Sequence, residues 1–373
     1  MKEIYIYDLE TYKNFFLATF KLPYKDKWYE FEISDRKNDI DILRLFLKNV
    51  KGLVGFNNLN FDYPVLHNTI LSNNLDWKAE DIFKQVQEII NSEYSSIKNK
   101  DIKVAQLDLY KIWHYDNQAR RTSLKWLEFA MRMDNIQDLP YKPNSILDSE
   151  QMNEVKSYCR NDVLATEMFY NKSKQKINFR MNMSKELNYN VINYSDVAIG
   201  EYINRKTYEK LSNRNYYDFK DLRTYRKLFH IKDLIPDYIK YKSDYLNNFL
   251  NEIKDKSFKD NENFERNLNF AGIQLTFAKG GLHSVDKPSI IQCEKGYSLK
   301  EKDVGSMYPG SIINGEFYPQ HLGKEWYLGI KHLFDERNLG IKPKMKTLNS
   351  DTKEYQFLNA KQEAYKLAMN GGG

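Results

Sequence analysis

Two acidic residues end a β-like run at the start of the chain, "MKEIYIYDLETYKN". The segment Ile4–Tyr7 reads as a strand, and Asp8 and Glu10 follow it with one residue between them. On a strand, residues i and i+2 point to the same face, so the two carboxylates would project together. Two close carboxylates repel each other, and a divalent cation removes that cost. Taken alone, the pair is equally compatible with a solvated strand end.

Composition narrows the class of protein. The chain has 373 residues, enough for two or three domains, and its formal net charge of +6 suits a polyanionic partner without requiring one. Its 28 Tyr, 21 Phe and 5 Trp can build cores or stack on unpaired bases. Its two cysteines, Cys159 and Cys293, exclude a disulfide framework or a cysteine-rich zinc site. No leader-like or long apolar segment is seen, so we expect a soluble, cytoplasmic protein without membrane contact.

Two further motifs place acids beside predicted elements. In "GFNNLNFDYPVL", the buried strand Leu53–Phe56 runs into an Asn-rich loop, and Asp62 precedes Pro64 at a predicted helix start. An acid there can also simply favour the helix start. In "SYCRNDVLAT", Tyr158 and Asp162 are four residues apart and share a helix face that is otherwise apolar. Such an acid needs a partner, either a metal ion or a buried salt bridge.

The periodicity predicts an α/β or α+β fold, in which strands alternate with helices. The segment 205–265 reads as polar helices and loops, and compact segments return at Gly272–Val285 and Lys302–Ile313. A helix begins at Asp148 or Ser149. The other predicted strands are Phe15–Phe20 and Val104–Tyr110, and the apolar face of the helix consists of Met152, Val155, Cys159, Val163 and Tyr170.

The three acidic motifs, in this order within about 160 residues, resemble those of proofreading 3′→5′ exonucleases with an RNase H-like fold. Members of this subclass use three Asp, one Glu and one Tyr. The resemblance implies two divalent ions, Mg²⁺ or Mn²⁺, and a tyrosine that orients the attacking water. The implied metal ligands are Asp8, Glu10, Asp62 and Asp162, and the implied tyrosine is Tyr158.

The same resemblance implies contacts with the end of a single DNA strand. Thr11, Asn58 and Phe61 accompany the first two acidic motifs. The stretch "QLDLYKIW…TSLKWLEFAM" also looks like the family, and its helix start at Ser123 and Leu124 is implied to bind DNA.

A later stretch, "KDVGSMYPGSII", resembles the first palm motif of family B DNA polymerases, Asp-x-x-Ser-Leu-Tyr-Pro-Ser. By this resemblance Asp303 would bind the polymerase metal ions, and Ser306 and Met307 would lie along the triphosphate. Tyr308 would exclude a ribose 2′-hydroxyl. Gly310 stands where the family has Ser.

Two other stretches extend this similarity. "KQEAYKLAMNG" resembles the fingers motif, in which Lys366 and Asn370 would bind the incoming nucleotide, with Arg337 as a second phosphate contact; an ordinary amphipathic helix also explains it. In "FAKGGLHSV", Gly280 and Gly281 match the element that links the exonuclease and palm on the template strand, although a simple turn explains them equally well. Glycines replace the Ser and Tyr of the fingers motif, and no Asp-Thr-Asp motif follows.

The sequence therefore predicts an RNase H-like exonuclease domain at 1–175, a connecting region at 176–290 and a partial palm and fingers at 291–373. We expect the amino-terminal part of a phage-type family B DNA polymerase, either a natural fragment or a truncated form. Its expected partners are single-stranded DNA, primer–template DNA and a second chain with the remaining palm and thumb. One alternative is a split-polymerase subunit without activity of its own. Another is a non-catalytic DNA-binding module, which the four acids disfavour.

Overall fold

The computed structural model describes residues 3–72, 76–92, 97–259, 262–278 and 281–371. The chain divides into two compact units, Met1–Thr207 with Ile330–Gly373 and Tyr208–Gly329. These units group the residues differently from the three predicted domains, because the segment from Ile330 onward belongs to the unit that contains the amino terminus. Among the described residues, no helix has both the length and the apolar character needed to span a membrane.

A five-stranded mixed sheet forms the centre of the first unit. The strands are β1 Ile4–Tyr12, β2 Phe15–Lys21, β3 Trp28–Ser34, β4 Gly52–Gly55 and β5 Ala105–Asp108. In spatial order they run β3-β2-β1-β4-β5. Strands β1, β2 and β3 pair antiparallel, whereas β4 is parallel to β1 and β5 is parallel to β4. The predicted mixture of strands and helices is thus confirmed.

Strand β1 is longer than the sequence pattern indicated. It continues past Tyr7 to Tyr12, because β2 pairs with it along its whole second half, up to Tyr12 opposite Phe15. Asp8 and Glu10 therefore lie inside a strand, and the interpretation of a solvated strand end is wrong.

The predicted strand Val104–Tyr110 is shorter in the structure. Strand β5 ends at Asp108, and a short helix, α4, follows at Leu109–Ile112. The carboxylate of Asp108 accepts hydrogen bonds from the backbone N–H groups of Tyr110 (2.9 Å) and Lys111 (3.4 Å). This capping turns the chain into a helix two residues early.

Helices cover both faces of the sheet. The helices that lie wholly or partly in the first unit, besides α4, are α1 Ile40–Lys48, α2 Asp62–Val65, α3 Ala79–Asn91, α5 Leu124–Met131, α6 Ser149–Lys172, α7 Lys174–Glu186, α8 Asp196–Ser212, α12 Lys324–Asp335, α13 Lys342–Met345 and α14 Lys353–Gly371. A π-helical turn, Leu66–Leu71, extends α2, and another, Glu336–Ile341, precedes α13.

Helix α6 begins where the sequence indicated. The Asp148 side chain accepts hydrogen bonds from the backbone N–H groups of Glu150 and Gln151, both at 2.9 Å. The Gln151 side chain accepts one from the backbone N–H of Asp148 at 3.0 Å, which completes a capping box. The predicted apolar face is confirmed: four of its five members are buried and Tyr170 is half-buried.

The two faces of β1 contribute to different cores. Tyr5, Tyr7 and Leu9 pack on the side of α1 and α3. Ile6 and Tyr12 pack on the other side, in clusters that contain residues of α6. Since side chains alternate along a strand, Asp8 and Glu10 fall on the α6 side, between two core residues.

The second unit has smaller sheets. Its elements are α9 Tyr216–Phe219, β6 Phe229–His230, α10 Asp244–Lys254, β7 Ser257–Phe258, β8 Glu265–Phe270, β9 Ile273–Ala278, β10 Gly281–Ser284 and α11 Met307–Gly315. The three-stranded antiparallel sheet has the order β10-β9-β8, and the other sheet pairs β6 with β7. Strands β9 and β10 account for the compact segment predicted at Gly272–Val285.

Candidate active site

The first two acids of the candidate site project from β1 toward α6. Glu10 is buried and Asp8 is half-buried. The thiol of Cys159, on α6, lies 3.6 Å from Oδ2 of Asp8. One ligand atom from each of Asp8, Glu10 and Cys159 lies within 4.8 Å of the other two. The strand and the helix thus bring together residues that are about 150 positions apart in sequence.

The third acid, Asp62, is the first residue of α2 and is also buried. Burial raises the pKa of the Asp62 carboxyl to about 7, and the charges of Asp108 and Asp162 act in the same direction. Hydrogen bonds from its own backbone N–H and from that of Leu9 oppose this rise in pKa. Leu9 lies between Asp8 and Glu10 on β1. The motif that contains Asp62 therefore contacts β1 at the motif that contains Asp8 and Glu10.

Asp162 and Tyr158 lie one turn apart on α6, and both are half-buried. Burial and the charge of Glu128 raise the pKa of Asp162 to about 7, against a hydrogen bond from Tyr158 that lowers it. Burial and the nearby carboxylates raise the pKa of Tyr158 well above its usual value. Tyr158 therefore stays protonated at neutral pH and acts as a hydrogen-bond donor.

The charges of Asp62 and Asp162 oppose the ionisation of Asp8 and Glu10. Burial is the main cause of the strongly raised pKa of Asp8, and the charges of Asp62, Asp162 and Glu10 add to it. Burial also raises the pKa of Glu10, with contributions from Asp162 and Asp62. Within the described part of the chain, none of the four forms a salt bridge with Lys or Arg. Such a cluster needs protons or cations, and its oxygen donors suit Mg²⁺ or Mn²⁺.

A buried polar network supports the loop before Asp62. The Asp108 carboxylate accepts hydrogen bonds from the backbone N–H groups of Asn57 (3.0 Å) and Leu59 (3.1 Å). Between these residues, the Asn58 amide donates to Oε1 of Gln106 at 2.9 Å. Asn58 is fully buried. Contact of its side chain with a nucleotide, as predicted, does not fit this position; the structure makes Asn58 part of the loop's support.

Thr11 and Phe61 line a cavity of about 160 Å³ next to Glu10. Its other walls are mainly apolar and come from α3 and from the segment 139–143. Both predicted nucleotide contacts are therefore half-buried beside an acid of the site, at the edge of an apolar cavity. The remaining lining residues are Leu9, Tyr12, Phe83, Val86, Gln87, Ile90, Leu139 and Pro143.

Ser123 lies at a larger cavity of about 640 Å³, whose walls include Tyr115, Arg120, Arg121 and Trp126. The Ser123 hydroxyl accepts a hydrogen bond from the backbone N–H of Trp126 at 3.1 Å, so this residue caps α5, as its sequence position predicted. Leu124, the first residue of α5, is half-buried. The two arginines and two aromatic rings give this cavity a basic and aromatic lining.

The sequence patterns did not identify three residues that lie near the site. Asp108 lies in a predicted strand but binds loop N–H groups, which local patterns do not reveal. Cys159 was assigned only to the apolar face of its helix. Glu128 is buried on α5, accepts a hydrogen bond from the Asn161 amide (3.4 Å) and leaves its other oxygen without a partner among the described residues. An acid on an apolar helix face, the signal that identified Asp162, would also have found Glu128.

The residues of the palm-like motif, up to the first turn of α11, belong to the second unit. Asp303, Met307 and Tyr308 are exposed, and Ser306 is half-buried at the start of α11. Gly281 begins β10, whereas Gly280 lies outside the described residues.

The fingers-like residues belong to the first unit. Lys366 and Asn370 are exposed and lie one turn apart on α14. Arg337 is buried, and its Nε donates a hydrogen bond to the carbonyl of Gln362 at 3.1 Å. In this position its guanidinium binds the backbone of α14, so the predicted phosphate contact does not fit the structure.

The chain is similar to known proteins in structure but not in sequence. No protein-family model matches the chain, and no curated protein sequence matches it. Among solved structures, the chain is similar to the family B DNA polymerase from the hyperthermophilic archaeon Pyrobaculum calidifontis. The TM-score is 0.45 and the identity is 14%, over 100% of this chain and 46% of that polymerase. The chain thus spans just under half the length of the solved structure that it resembles.

Proposed function

We propose that this chain is a metal-dependent 3′→5′ exonuclease that degrades single-stranded DNA and forms the amino-terminal part of a family B DNA polymerase of the phage type. One observation carries the proposal: Asp8, Glu10, Asp62 and Asp162 lie on three elements, the charges of Asp62 and Asp162 raise the pKa of both Asp8 and Glu10, and none of the four has a salt-bridge partner among the described residues. A module that only bound DNA would gain nothing from four acids facing a polyanion.

The four acids would hold two divalent ions. When bound, such ions lower the pKa of a water molecule and stabilise charge on the attacking and leaving oxygens of a phosphodiester. The protein supplies oxygen ligands on a rigid strand and a long helix, and this rigidity limits their movement. The crowding of acids that destabilises the free site becomes favourable when cations neutralise it.

The other residues would position the substrate and the water. Tyr158 remains protonated and donates its one proton to Asp162, so its hydroxyl oxygen can accept a hydrogen bond from a water and orient it next to Asp162. The apolar cavity beside Glu10 would receive the terminal base, with Phe61 in contact with its ring. Thr11, at the same cavity, would contact the sugar or phosphate. The mixed five-stranded sheet, with helices on both faces, supports assignment to the RNase H-like class.

Digestion of end-labelled oligonucleotides tests this proposal. A 3′-labelled and a 5′-labelled single strand are incubated with wild type in Mg²⁺, in Mn²⁺ and in EDTA. We expect immediate release of the 3′ label, progressive shortening of the 5′-labelled strand and no reaction in EDTA. Asp8→Ala should abolish both reactions, whereas Asp134→Ala, which removes an exposed acid of the same unit, should behave like wild type.

Intact oligonucleotides in every lane, from a protein that is folded by circular dichroism, would reject the exonuclease for this chain alone. Release that persists in Asp8→Ala would indicate a contaminating nuclease or a different site.

A second candidate is a subunit of a split polymerase that needs a partner chain. The observation in its favour is the segment before α11, whose apolar side chains are largely exposed: Ile290 is 91% exposed, Tyr297 78% and Leu299 70%. A partner with the remaining palm could cover them. Primer extension by the chain alone would contradict an incomplete polymerase site. Extension that requires a second polypeptide would support the split arrangement.

A further inference from the structure

The cysteine at the candidate site introduces a different type of metal ligand. Cys159 is fully buried, and its thiol lies 3.6 Å from a carboxylate oxygen of Asp8. The ligand atoms of Asp8, Glu10 and Cys159 are mutually within 4.8 Å. Ligands of a tetrahedral ion bound at about 2.0–2.3 Å lie about 3.5 Å from one another, so small side-chain rotations would suffice.

A second observation concerns the neighbouring strand. Thr19 of β2 pairs directly with Asp8, and directly paired residues place their side chains on the same face of the sheet. Thr19 is fully buried, and its hydroxyl lies beside the Cys159 thiol, with which it forms a side-chain hydrogen bond. A hydroxyl that hydrogen-bonds a ligand atom helps to orient it, as outer-shell groups of metal sites do. Thr19 thus links β2 to both the sulfur and the Asp8 carboxylate of the candidate site.

We propose that Asp8, Glu10 and Cys159 form a mixed oxygen–sulfur site that binds a thiophilic divalent cation, such as Zn²⁺, Co²⁺ or Cd²⁺. The carboxylates alone suit hard ions, which take oxygen ligands. A thiolate selects softer ions, and the same carboxylates complete the coordination of such an ion. Binding replaces the thiol proton, which passes to solvent as the sulfur–metal bond forms, and no electron transfer is involved.

If the exonuclease proposal holds, the two uses of Asp8 and Glu10 exclude each other. A thiophilic ion bound to Cys159 would occupy carboxylates that hydrolysis needs, so Zn²⁺ would inhibit the Mg²⁺-dependent reaction. This consequence rests on the proposed function, whereas the binding of the ion does not. Replacing Cys159 should therefore reduce inhibition by Zn²⁺ without removing the Mg²⁺ ligands.

Titration with Co²⁺ tests the site without any DNA. A cobalt–thiolate bond gives an ultraviolet charge-transfer band that oxygen ligands do not produce. The chain contains its own control, because Cys293 is the only other cysteine and is exposed. We expect one equivalent of Co²⁺ to produce the band in wild type and in Cys293→Ser, and no band in Cys159→Ser. Glu10→Gln should keep the band but weaken Co²⁺ binding about tenfold or more.

A band that survives in Cys159→Ser or disappears in Cys293→Ser would overturn the assignment, as would the absence of a band in wild type. Because a buried serine can disturb packing, Cys159→Ala is measured in parallel and each variant is checked for a cooperative thermal transition. The absorption reading does not depend on catalysis. A band without nuclease activity would reject only the proposed function, and nuclease activity without a band would reject only the thiophilic site.

Discussion

The acids of the first unit and the acid of the palm-like motif in the second unit have opposite surroundings. Asp8, Glu10, Asp62 and Asp162 are buried or half-buried, and the charges of Asp62 and Asp162 raise the pKa of Asp8 and Glu10. Asp303 is exposed in a stretch without helix or strand between Ser284 and Met307. Among the described residues, the one group of three or more potential metal ligands is in the first unit, on β1 and α6.

The difference shows what a motif requires to become a site. Both motifs place an acid in a recognisable sequence pattern, but a metal site also needs ligands from other elements. In the first unit, the sheet and α6 supply them at the cost of crowding like charges. In the second unit, the described residues supply no such neighbours to Asp303. The resemblance in the second unit is therefore a sequence pattern, and a complete polymerase site would need additional ligands.

The largest expected effect concerns the crowded acids. Asp162→Asn should reduce hydrolysis of single-stranded DNA by about 10³-fold, the typical cost of removing an electrostatic stabiliser of the transition state. The same change should raise the stability of the metal-free protein by about 1 kcal/mol, because it removes one buried like charge. Oligonucleotide digestion and thermal unfolding in EDTA measure the two effects.

Asp303→Asn tests whether the palm-like motif of the second unit binds metal ions. The affinity for Mn²⁺ is measured by electron paramagnetic resonance. The Asp303→Asn variant should retain the wild-type affinity, whereas the Asp162→Asn variant should lose most of it. Equal losses in the two variants would contradict the contrast between the units.

The next largest effect is the difference in unfolding free energy that is lost when a buried or an exposed ion pair is broken. Arg180 is fully buried; its Nη2 contacts Asp196 at 2.7 Å, and its other N–H groups bind three backbone carbonyls. Arg180→Met removes one of the two cationic partners of Asp196, which keeps Lys176, and takes the donor away from the buried backbone carbonyls of Ile112 and Tyr194. It should cost about 2–4 kcal/mol of unfolding free energy. Arg266 of the second unit pairs with Glu252 at the surface, so Arg266→Met should cost less than about 1 kcal/mol. Urea unfolding followed by circular dichroism provides both values; equal costs would refute the distinction.

The support of the Asp62 loop can be tested separately from the metal ligands. Asp108→Asn places an amide donor against the N–H groups of Asn57 and Leu59. We expect the free energy of unfolding to fall by about 2 kcal/mol. The rate of hydrolysis should fall roughly 10–100-fold, because the loop carries Asp62. Asp286, in the second unit, accepts one backbone hydrogen bond while exposed, so Asp286→Asn should change neither measurably. Full activity in a destabilised Asp108→Asn would limit Asp108 to a structural role.

The smallest effect is a pH dependence in the first unit. Burial by itself raises the pKa of Glu32, but hydrogen bonds from Arg36 and Ser34 and the charge of Lys156 outweigh it and lower that pKa. The ionised form therefore stabilises the fold at pH values above the unfolded pKa of about 4.3. This contribution is lost as the pH falls through the lower, folded-state pKa.

Glu32→Gln should cost about 1–2 kcal/mol at pH 7 and flatten the decline of stability in acid. Glu252→Gln, which removes a half-exposed carboxylate of the second unit, should keep the wild-type acid profile. Urea unfolding at pH values from about 3 to about 7, which span the carboxyl pKa, measures the stability of both variants. If stability declined in acid as steeply in Glu32→Gln as in wild type, the role given to Glu32 would be contradicted.

Local sequence patterns predicted much of the first unit. Helix α6 begins at its predicted cap, its apolar face is buried as predicted, and four predicted strands exist. Errors arose where long-range pairing decided the outcome: β1 continues to Tyr12 because β2 pairs with it, and β3 was not predicted at all. Burial was also misjudged for Asn58 and Arg337, whose polar groups bind inside the protein.

The sequence by itself determined the residue types and their periodicity: two acids on one face of a strand, an acid at a helix start, and a tyrosine and an acid one turn apart on α6. These relations depend on neighbours a few positions away, and backbone geometry fixes them. Only the tertiary structure decided that Leu9 meets Asp62 and that the Cys159 thiol lies beside Asp8. Those contacts join residues dozens to more than a hundred positions apart, and strand order, register and helix packing position them.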